Sequence, residues 1–139
     1  MGLPRSLVAL LALCLPISAH FDLQYPKARG ENEDDLPKGP CGGFDKPSSE
    51  RTSVSLTQLA ISTKMGHDES AVSILLALGD DPSSFNITLL PTFRQEGLGE
   101  FCLNAVPIPS DLGIEDGTKG TIQVITNGDP TGGLYAVRH

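Results

Sequence analysis

Residues 120–126 read Gly-Thr-Ile-Gln-Val-Ile-Thr and carry the strongest indication of fold class in the chain. β-Branched residues dominate this segment, and such residues favour a pleated, half-buried strand. Because side chains alternate across a strand, Ile122, Val124 and Thr126 share one face. The segment is followed by Asn127-Gly128, a turn dipeptide. It predicts a strand with one face in a core.

Similar short segments occur on both sides of this strand. The run AVSILLAL, residues 71–78, fits either a buried strand or a short helix, but its length and the Gly-Asp-Asp-Pro turn after it favour a strand. The other candidate strands are residues 21–25, 52–61, 85–90 and 101–106. About six short strands separated by Gly, Pro, Asn and Asp predict an all-β fold, an antiparallel β-sandwich.

Composition narrows the class of protein. The chain has 139 residues, which is enough for one domain, and a formal net charge of −7. An acidic chain is a poor partner for a nucleic-acid backbone. With 15 Gly and 11 Pro, the chain is rich in turns. Nucleic-acid binding, a multi-domain enzyme and a long coiled coil are therefore disfavoured.

The first 19 residues have the pattern of a secretory signal peptide. Arg5 supplies the positive start, residues 7–15 form an apolar run too short to span a bilayer, and Ala19 is a small residue at the cleavage position. The alternative is an uncleaved anchor. We expect residues 1–19 to be removed and residues 20–139 to form a single secreted domain.

Cleavage changes the cysteine count. Cys14 leaves with the signal peptide, so the mature chain keeps Cys41 and Cys102. Two cysteines in a secreted chain predict one disulfide, and two free thiols are the alternative. Asn86-Ile87-Thr88 is an N-glycosylation sequon, a motif that also occurs by chance.

Cleavage would also place His20 at the mature N-terminus. An N-terminal histidine offers a metal its α-amino nitrogen and its ring Nδ1, and a second histidine completes a histidine brace, a planar nitrogen site that suits Cu(II). The other histidines are His67 and His139. His139 is the last residue and is expected to fray, so His67 is the natural partner. The alternatives are an ordinary surface histidine at 67 and a chance residue after the cleavage point.

Carboxylates lie close to these histidines in the sequence. Asp129 belongs to Asn-Gly-Asp-Pro, which is good turn chemistry and needs no metal. Asp22, Asp68 and Glu69 are further candidates for ligands or hydrogen-bond acceptors. Met65 is either a soft ligand or a packing residue. No Gly-x-Ser-x-Gly elbow, phosphate-binding glycine motif or zinc-type spacing occurs, so no catalytic residue is predicted.

Several motifs together follow one family pattern. They are Ala-His-Phe at 19–21, Tyr-Pro at 25–26, Pro-Cys-Gly-Gly-Phe at 40–44, FRQEGLGEFC at 93–102 and TNGDPTGGLY at 126–135. The chain resembles fungal copper-acquisition proteins related to lytic polysaccharide monooxygenases (LPMOs). The resemblance implies an immunoglobulin- or fibronectin-like sandwich, as in the LPMO core, and one Cu(II) ion held by His20 and His67 with Asp129 as carboxylate ligand.

The resemblance also implies a role in copper uptake or homeostasis at the fungal cell surface. A plasma-membrane copper importer is the expected client, no glycan substrate is expected, and we expect a monomer. Two features depart from the family, whose members usually carry a further Cys after Gly-Gly-Leu-Tyr and often a glycolipid-anchor tail. Here the sequence ends at His139 without either, so we expect a truncated C-terminus and no anchor signal in this chain.

Three functions from different classes fit the sequence. The first, which we favour, is a non-catalytic copper-binding protein in which an anionic ligand occupies a position that an oxidase keeps open. The second is an LPMO-type oxidative enzyme, which needs a flat aromatic face, whereas this chain has no Trp and two Tyr. The third is a cell-wall or interaction protein without a metal.

Overall fold

A computed structural model describes residues 20–129 and 132–138, with the backbone alone at 128, 129 and 132. The predicted signal peptide, residues 1–19, and His139 lie outside the described residues. None of the residues that the structure describes forms a helix long and apolar enough to cross a bilayer.

The described residues form an all-β sandwich, as predicted. One sheet has the strand order β1-β2-β5 and the other has the order β4-β3-β6-β7, and every pairing is antiparallel. A short 3₁₀ helix, Ser110–Leu112, follows β5. The strands are β1 (Phe21–Tyr25), β2 (Gln58–Met65), β3 (Glu69–Leu78), β4 (Ile87–Glu96), β5 (Gly99–Pro107), β6 (Gly120–Asp129) and β7 (Gly132–Arg138).

The core lies between the two sheets. Ile122, Val124 and Thr126 are all buried, which confirms the face predicted for β6. Leu23 and Ile61 from the three-stranded sheet belong to the same core cluster. Each fully buried aliphatic side chain contributes about 1.5–3 kcal/mol relative to an exposed one, so this cluster holds the sheets together.

The bounds of most predicted strands differ from the observed ones; the strand predicted at 85–90, for example, is β4 and runs from Ile87 to Glu96. The run at 71–78 is a strand, as favoured, and starts two residues earlier. Residues 52–57 are not in a strand, because their alternating Val54 and Leu56 have no neighbouring strand and remain 42% and 43% exposed. The strand β7 was not predicted. It forms because β6 offers it a hydrogen-bonding edge.

The long connection between β1 and β2 is fixed to the four-stranded sheet. The backbone N–H of Arg29 donates to Val137 O (2.9 Å), and Tyr135 N–H donates to Leu36 O (2.9 Å). Farther along, Gln123 Nε2 donates to Pro40 O (2.7 Å) on the outer face of that sheet. The connection thus covers the open edge of β7, which would otherwise present unpaired backbone groups.

The expected disulfide is absent from the structure. Cys41 and Cys102 are both free cysteines, Cys41 buried and Cys102 exposed. Cys41 lies in the connection that covers the outer face of the four-stranded sheet, with Sγ 4.0 Å from Arg29 Nη1. Cys102 lies on β5 of the other sheet and donates to Asn104 Oδ1 (3.3 Å). The two sheets of a sandwich pack about 10 Å apart, too far for one disulfide to join their outer faces.

The two thiols should differ in reactivity. Burial raises the pKa of Cys41, Asp45 adds to this shift, and the Arg29 charge opposes it. Because the thiolate is the reactive form, Cys41 should stay protonated and inert at neutral pH. In folded protein that begins at His20, we expect a thiol reagent to modify one cysteine quickly and the second only on unfolding. A Cys102→Ser variant should lose the fast phase, and a folded protein with no reactive thiol would contradict this expectation.

Candidate metal centre

One end of the sandwich brings together the chain before β1 and three strand ends. The β1–β2 register pairs Phe21 with Met65, so the residue before β1 lies beside the turn after β2. The β4–β5 turn is tied to the same turn, because Gly97 N–H donates to Asp68 O (2.7 Å). The end of β6 lies beside the start of β3. Residues distant in sequence therefore meet here.

His20 is held at this end by the β2–β3 turn. Gly66 N–H donates to His20 O (3.0 Å). A Cβ at position 66 would lie 3.3 Å from both Cε1 and Nε2 of His20, so the imidazole packs over the glycine. The side chain of His20 is 39% exposed. The glycine thus lets the ring lie close to the backbone that carries the next residue, His67.

His67 follows Gly66 in the same turn and is half-buried. Its Nε2 atom is buried and has no hydrogen-bond partner within the residues described. A buried polar atom without a partner costs about 1–3 kcal/mol, and native proteins usually satisfy such atoms. A metal ion at Nε2 would supply the missing partner. The two predicted histidines are therefore brought to one place, with one ring nitrogen available as a donor.

The backbone of Asp129 lies at the same end of the molecule. It is the last residue of β6 and pairs with Gly132 across the β6–β7 turn. The β3–β6 register pairs Val72 with Thr126, so β6 continues from there toward the start of β3, two residues after His67. The side chain of Asp129 is outside the described part of the structure, and its predicted role as a ligand stays a prediction.

The other predicted candidates have separate surroundings. Glu69 is exposed and forms an ion pair with Arg94 (2.7 Å). Asp68 is exposed, and Asp22 is half-buried on β1. Met65 is 3% exposed and belongs to the core cluster, which favours the packing role.

A carboxylate that the sequence did not single out lies next to His20. Glu33 Oε1 is 3.7 Å from His20 Nδ1. Glu33 belongs to the acidic run Glu-Asn-Glu-Asp-Asp at 31–35, in the connection between β1 and β2. In the sequence, the only feature that marked Glu33 was the high density of acidic residues around it. The connection that leaves β1 runs back beside His20, at the start of β1. Its backbone hydrogen bonds to β7 hold it in this position.

The donor atoms at this end of the molecule are of chemical types that bind copper. Among residues 20–129 and 132–138, no three His, Cys, Asp or Glu side chains cluster as a complete metal site. A histidine brace needs fewer side chains, because its third nitrogen is an α-amine. In the full chain the His20 nitrogen forms the peptide bond with Ala19, so that amine exists only after cleavage. Imidazole nitrogens are donors that suit Cu(II).

Comparison with known proteins assigns the chain to a family. A family model described as "Copper acquisition factor BIM1-like" matches residues 18–136. The chain is 56% identical to an uncharacterised protein of Aspergillus fumigatus over 133 residues, which cover 91% of this chain and 54% of that protein. It is 35% identical to the lytic polysaccharide monooxygenase-like protein X325 of Yarrowia lipolytica, over 86% of this chain and 48% of that protein.

The X325 protein of Hypocrea jecorina is 31% identical, over 94% of this chain and 66% of that protein. The chain thus spans about half the length of the first two of these relatives. The family model covers most of the chain, including both histidines and Asp129. The chain therefore belongs to the BIM1-like copper acquisition factors, a fungal family related to LPMO-like proteins.

Proposed function

We propose that the mature protein binds one Cu(II) ion through a histidine brace and serves copper acquisition or homeostasis at the fungal cell surface. The His20 α-amine, His20 Nδ1 and His67 Nε2 are the nitrogen donors, and Asp129 is a carboxylate ligand. The observation that carries this proposal is the buried, unpartnered Nε2 of His67, in the turn on which the His20 ring packs.

Removal of residues 1–19 is part of the proposal. It converts the His20 nitrogen from an amide, which is a poor donor, into an amine with an ordinary pKa near 8. An amine of that pKa loses its proton to a metal far more easily than a lysine does. Secretion and assembly of the copper site are then one event, and the precursor has no brace.

A non-catalytic role is supported by the surface around the histidines. Among the described residues, the exposed large apolar side chain at this end is Leu98, which is 66% exposed on the β4–β5 turn. Tyr25 is 44% exposed, but it lies at the other end of β1, about 16 Å from His20 along an extended chain. Sugar rings usually stack on aromatic side chains, and no aromatic side chain among the described residues is exposed beside His20.

The other end of the molecule is where a glycan would lie. Asn86 is exposed immediately before β4, close to the end of β3 that is remote from His67. We propose glycosylation there in the secreted protein, because a glycan at this position leaves the histidine end open. An open end fits transfer of copper to a plasma-membrane importer, the client that we propose for a monomeric carrier.

The test is a copper titration of the protein beginning at His20. With one equivalent of Cu(II), electron paramagnetic resonance should give an axial, nitrogen-rich spectrum. His67→Ala should lose that spectrum and bind Cu(II) about 10-fold or more weakly, because one donor is gone. His139→Ala removes an imidazole that the proposed ligand set does not include and should behave as wild type. Equal affinity of wild type and His67→Ala would refute the proposal.

A separate assay tests the alternative that the protein is an oxidative enzyme. The copper-loaded protein, supplied with a reductant and chitin or cellulose, should release no oxidised oligosaccharides. Their appearance, and their loss in His67→Ala, would replace the carrier role with an LPMO-type activity.

A further inference from the structure

A cavity opens at the end of the sandwich opposite to His20. Its volume is about 330 Å³. Leu59 near the start of β2, Leu78 at the end of β3 and Gly120 at the start of β6 line it, whereas His20 lies beside the β2–β3 turn at the other end. Pockets that bind small molecules usually have volumes of about 300–1,000 Å³. The cavity is therefore large enough for a small ligand.

The exposed apolar side chains of the protein are concentrated at the mouth of this cavity. Among the described residues, five large apolar side chains are exposed, and three of them line the cavity: Val54 (42%), Leu56 (43%) and Leu78 (43%). The inner wall is formed by buried core residues, among them Leu59 and Leu76. A continuous apolar surface thus extends from solvent to the core, and a ligand that covered it would remove this surface from water.

The lining of the cavity favours an aliphatic ligand. Its apolar residues are Pro, Val, Leu and Ile, and none of the described side chains that line it is aromatic. A flat aromatic ligand would therefore have no ring to stack on. A methylene group takes up about as much space as a water molecule, about 30 Å³, so the cavity of 330 Å³ holds about ten methylene groups. This volume fits one alkyl chain and is too small for a lipid with two long chains.

The charges at the mouth balance each other. Arg51 and Lys119 line the cavity and both form ion pairs with Asp80, with Lys119 Nζ 3.0 Å from Asp80 Oδ2. Asp116 also lines the cavity and is exposed. Two cations thus face two carboxylates, and a charged ligand end would lose hydration here without gaining an unopposed counter-ion. Residues with hydroxyl groups complete the polar part of the lining: Thr52, Ser53, Ser55 and Thr118.

We infer that this cavity binds a neutral single-chain lipid, an unbranched alkyl chain of about ten carbons that ends in a hydroxyl group. The chain lies against Leu59 and Leu76, and the hydroxyl group stays at the mouth. Asn86 lies at the same end of the molecule but does not line the cavity. Lipid binding here is independent of copper binding, because the cavity and the histidines lie at opposite ends of the sandwich.

The experiment titrates protein that begins at His20 with primary alcohols from hexanol to dodecanol, each kept below its solubility limit. Calorimetry gives the affinity for each alcohol. Each added methylene group should strengthen binding about 4-fold, the factor expected for burial of one such group. The gain should stop at about ten carbons, where the cavity is full. Decanoate, which has the same chain length and an anionic end, should bind about 10-fold or more weakly than decanol.

Two leucine variants show where the alcohol binds. Leu56→Asn removes an exposed apolar side chain at the mouth, and Leu98→Asn removes one at the histidine end. We expect Leu56→Asn to weaken decanol binding about 10-fold and Leu98→Asn to match wild type. Both positions are exposed, so both variants should fold, which thermal unfolding checks.

Several results would overturn the proposal. If decanol does not bind, or if affinity rises through dodecanol without levelling off, the cavity is not a site of this size. If Leu56→Asn and Leu98→Asn weaken binding equally, the alcohol binds apolar surface in general. If decanoate binds more tightly than decanol, the site takes a charged lipid and the neutral assignment is wrong. The copper titration of His67→Ala is independent of all these results, so the two proposals fail separately.

Discussion

A protein that keeps one extra residue before His20 should bind Cu(II) about 100-fold or more weakly than the protein that begins at His20. The extension replaces the α-amine with an amide, and the chelate formed by that amine and His20 Nδ1 is lost. Each tenfold loss corresponds to about 1.4 kcal/mol, so we expect about 3 kcal/mol or more. The two imidazoles that remain, those of His20 and His67, cannot replace a brace of three nitrogens.

The measurement is a competition titration on two proteins that differ by one alanine, with each N-terminus verified by mass spectrometry. The control carries the same alanine after His139 and should bind as the unextended protein does. Similar affinity of the N-terminally extended protein would mean that the amine is not a ligand. The copper site would then have to be built from side chains alone.

Substitution of Gly66 by alanine should damage both the fold and the copper site. The added Cβ would lie 2.8 Å from the backbone O of His20 and 3.3 Å from its ring. Backbone atoms cannot give way as a flexible side chain can, so the start of β1 or the β2–β3 turn must shift. We expect a loss of about 1–3 kcal/mol in the free energy of unfolding, as for other overpacked sites. Copper affinity should fall with it, because the shift separates His20 from His67.

The matched control is Gly120→Ala at the opposite end of the sandwich. There the new Cβ would meet Leu76 Cδ1 at 3.1 Å, and that side-chain atom can move. Thermal unfolding and copper titration of both variants give the comparison. Gly120→Ala should keep wild-type copper affinity with a smaller loss of stability. Full copper affinity in Gly66→Ala would show that close packing of His20 on the turn is unnecessary for the site.

Much of the architecture could be predicted because strand formation has a local signal. The alternation in β6 identified its buried face, and the apolar run at 71–78 favoured a strand over a helix, as β3 confirms. The local residue pattern did not predict the strands correctly where pairing with a neighbouring strand decides whether a strand forms. Residues 52–57 alternate like a strand but have no neighbour, whereas β7 has a weak pattern and a strong partner in β6. β4 continues past Pro91 because it is an edge strand with irregular register there.

The sequence by itself determined the strand pattern, the acidic charge and the two histidines offered as donors, since each depends on residue type and local spacing. Only the tertiary structure decided which groups meet. It placed Gly66 under the His20 ring, left His67 Nε2 buried without a partner, and kept Cys41 apart from Cys102. It also returned Glu33 to within 3.7 Å of His20 Nδ1. Such contacts depend on sheet order and on backbone hydrogen bonds between distant segments, and no local pattern of residues encodes them.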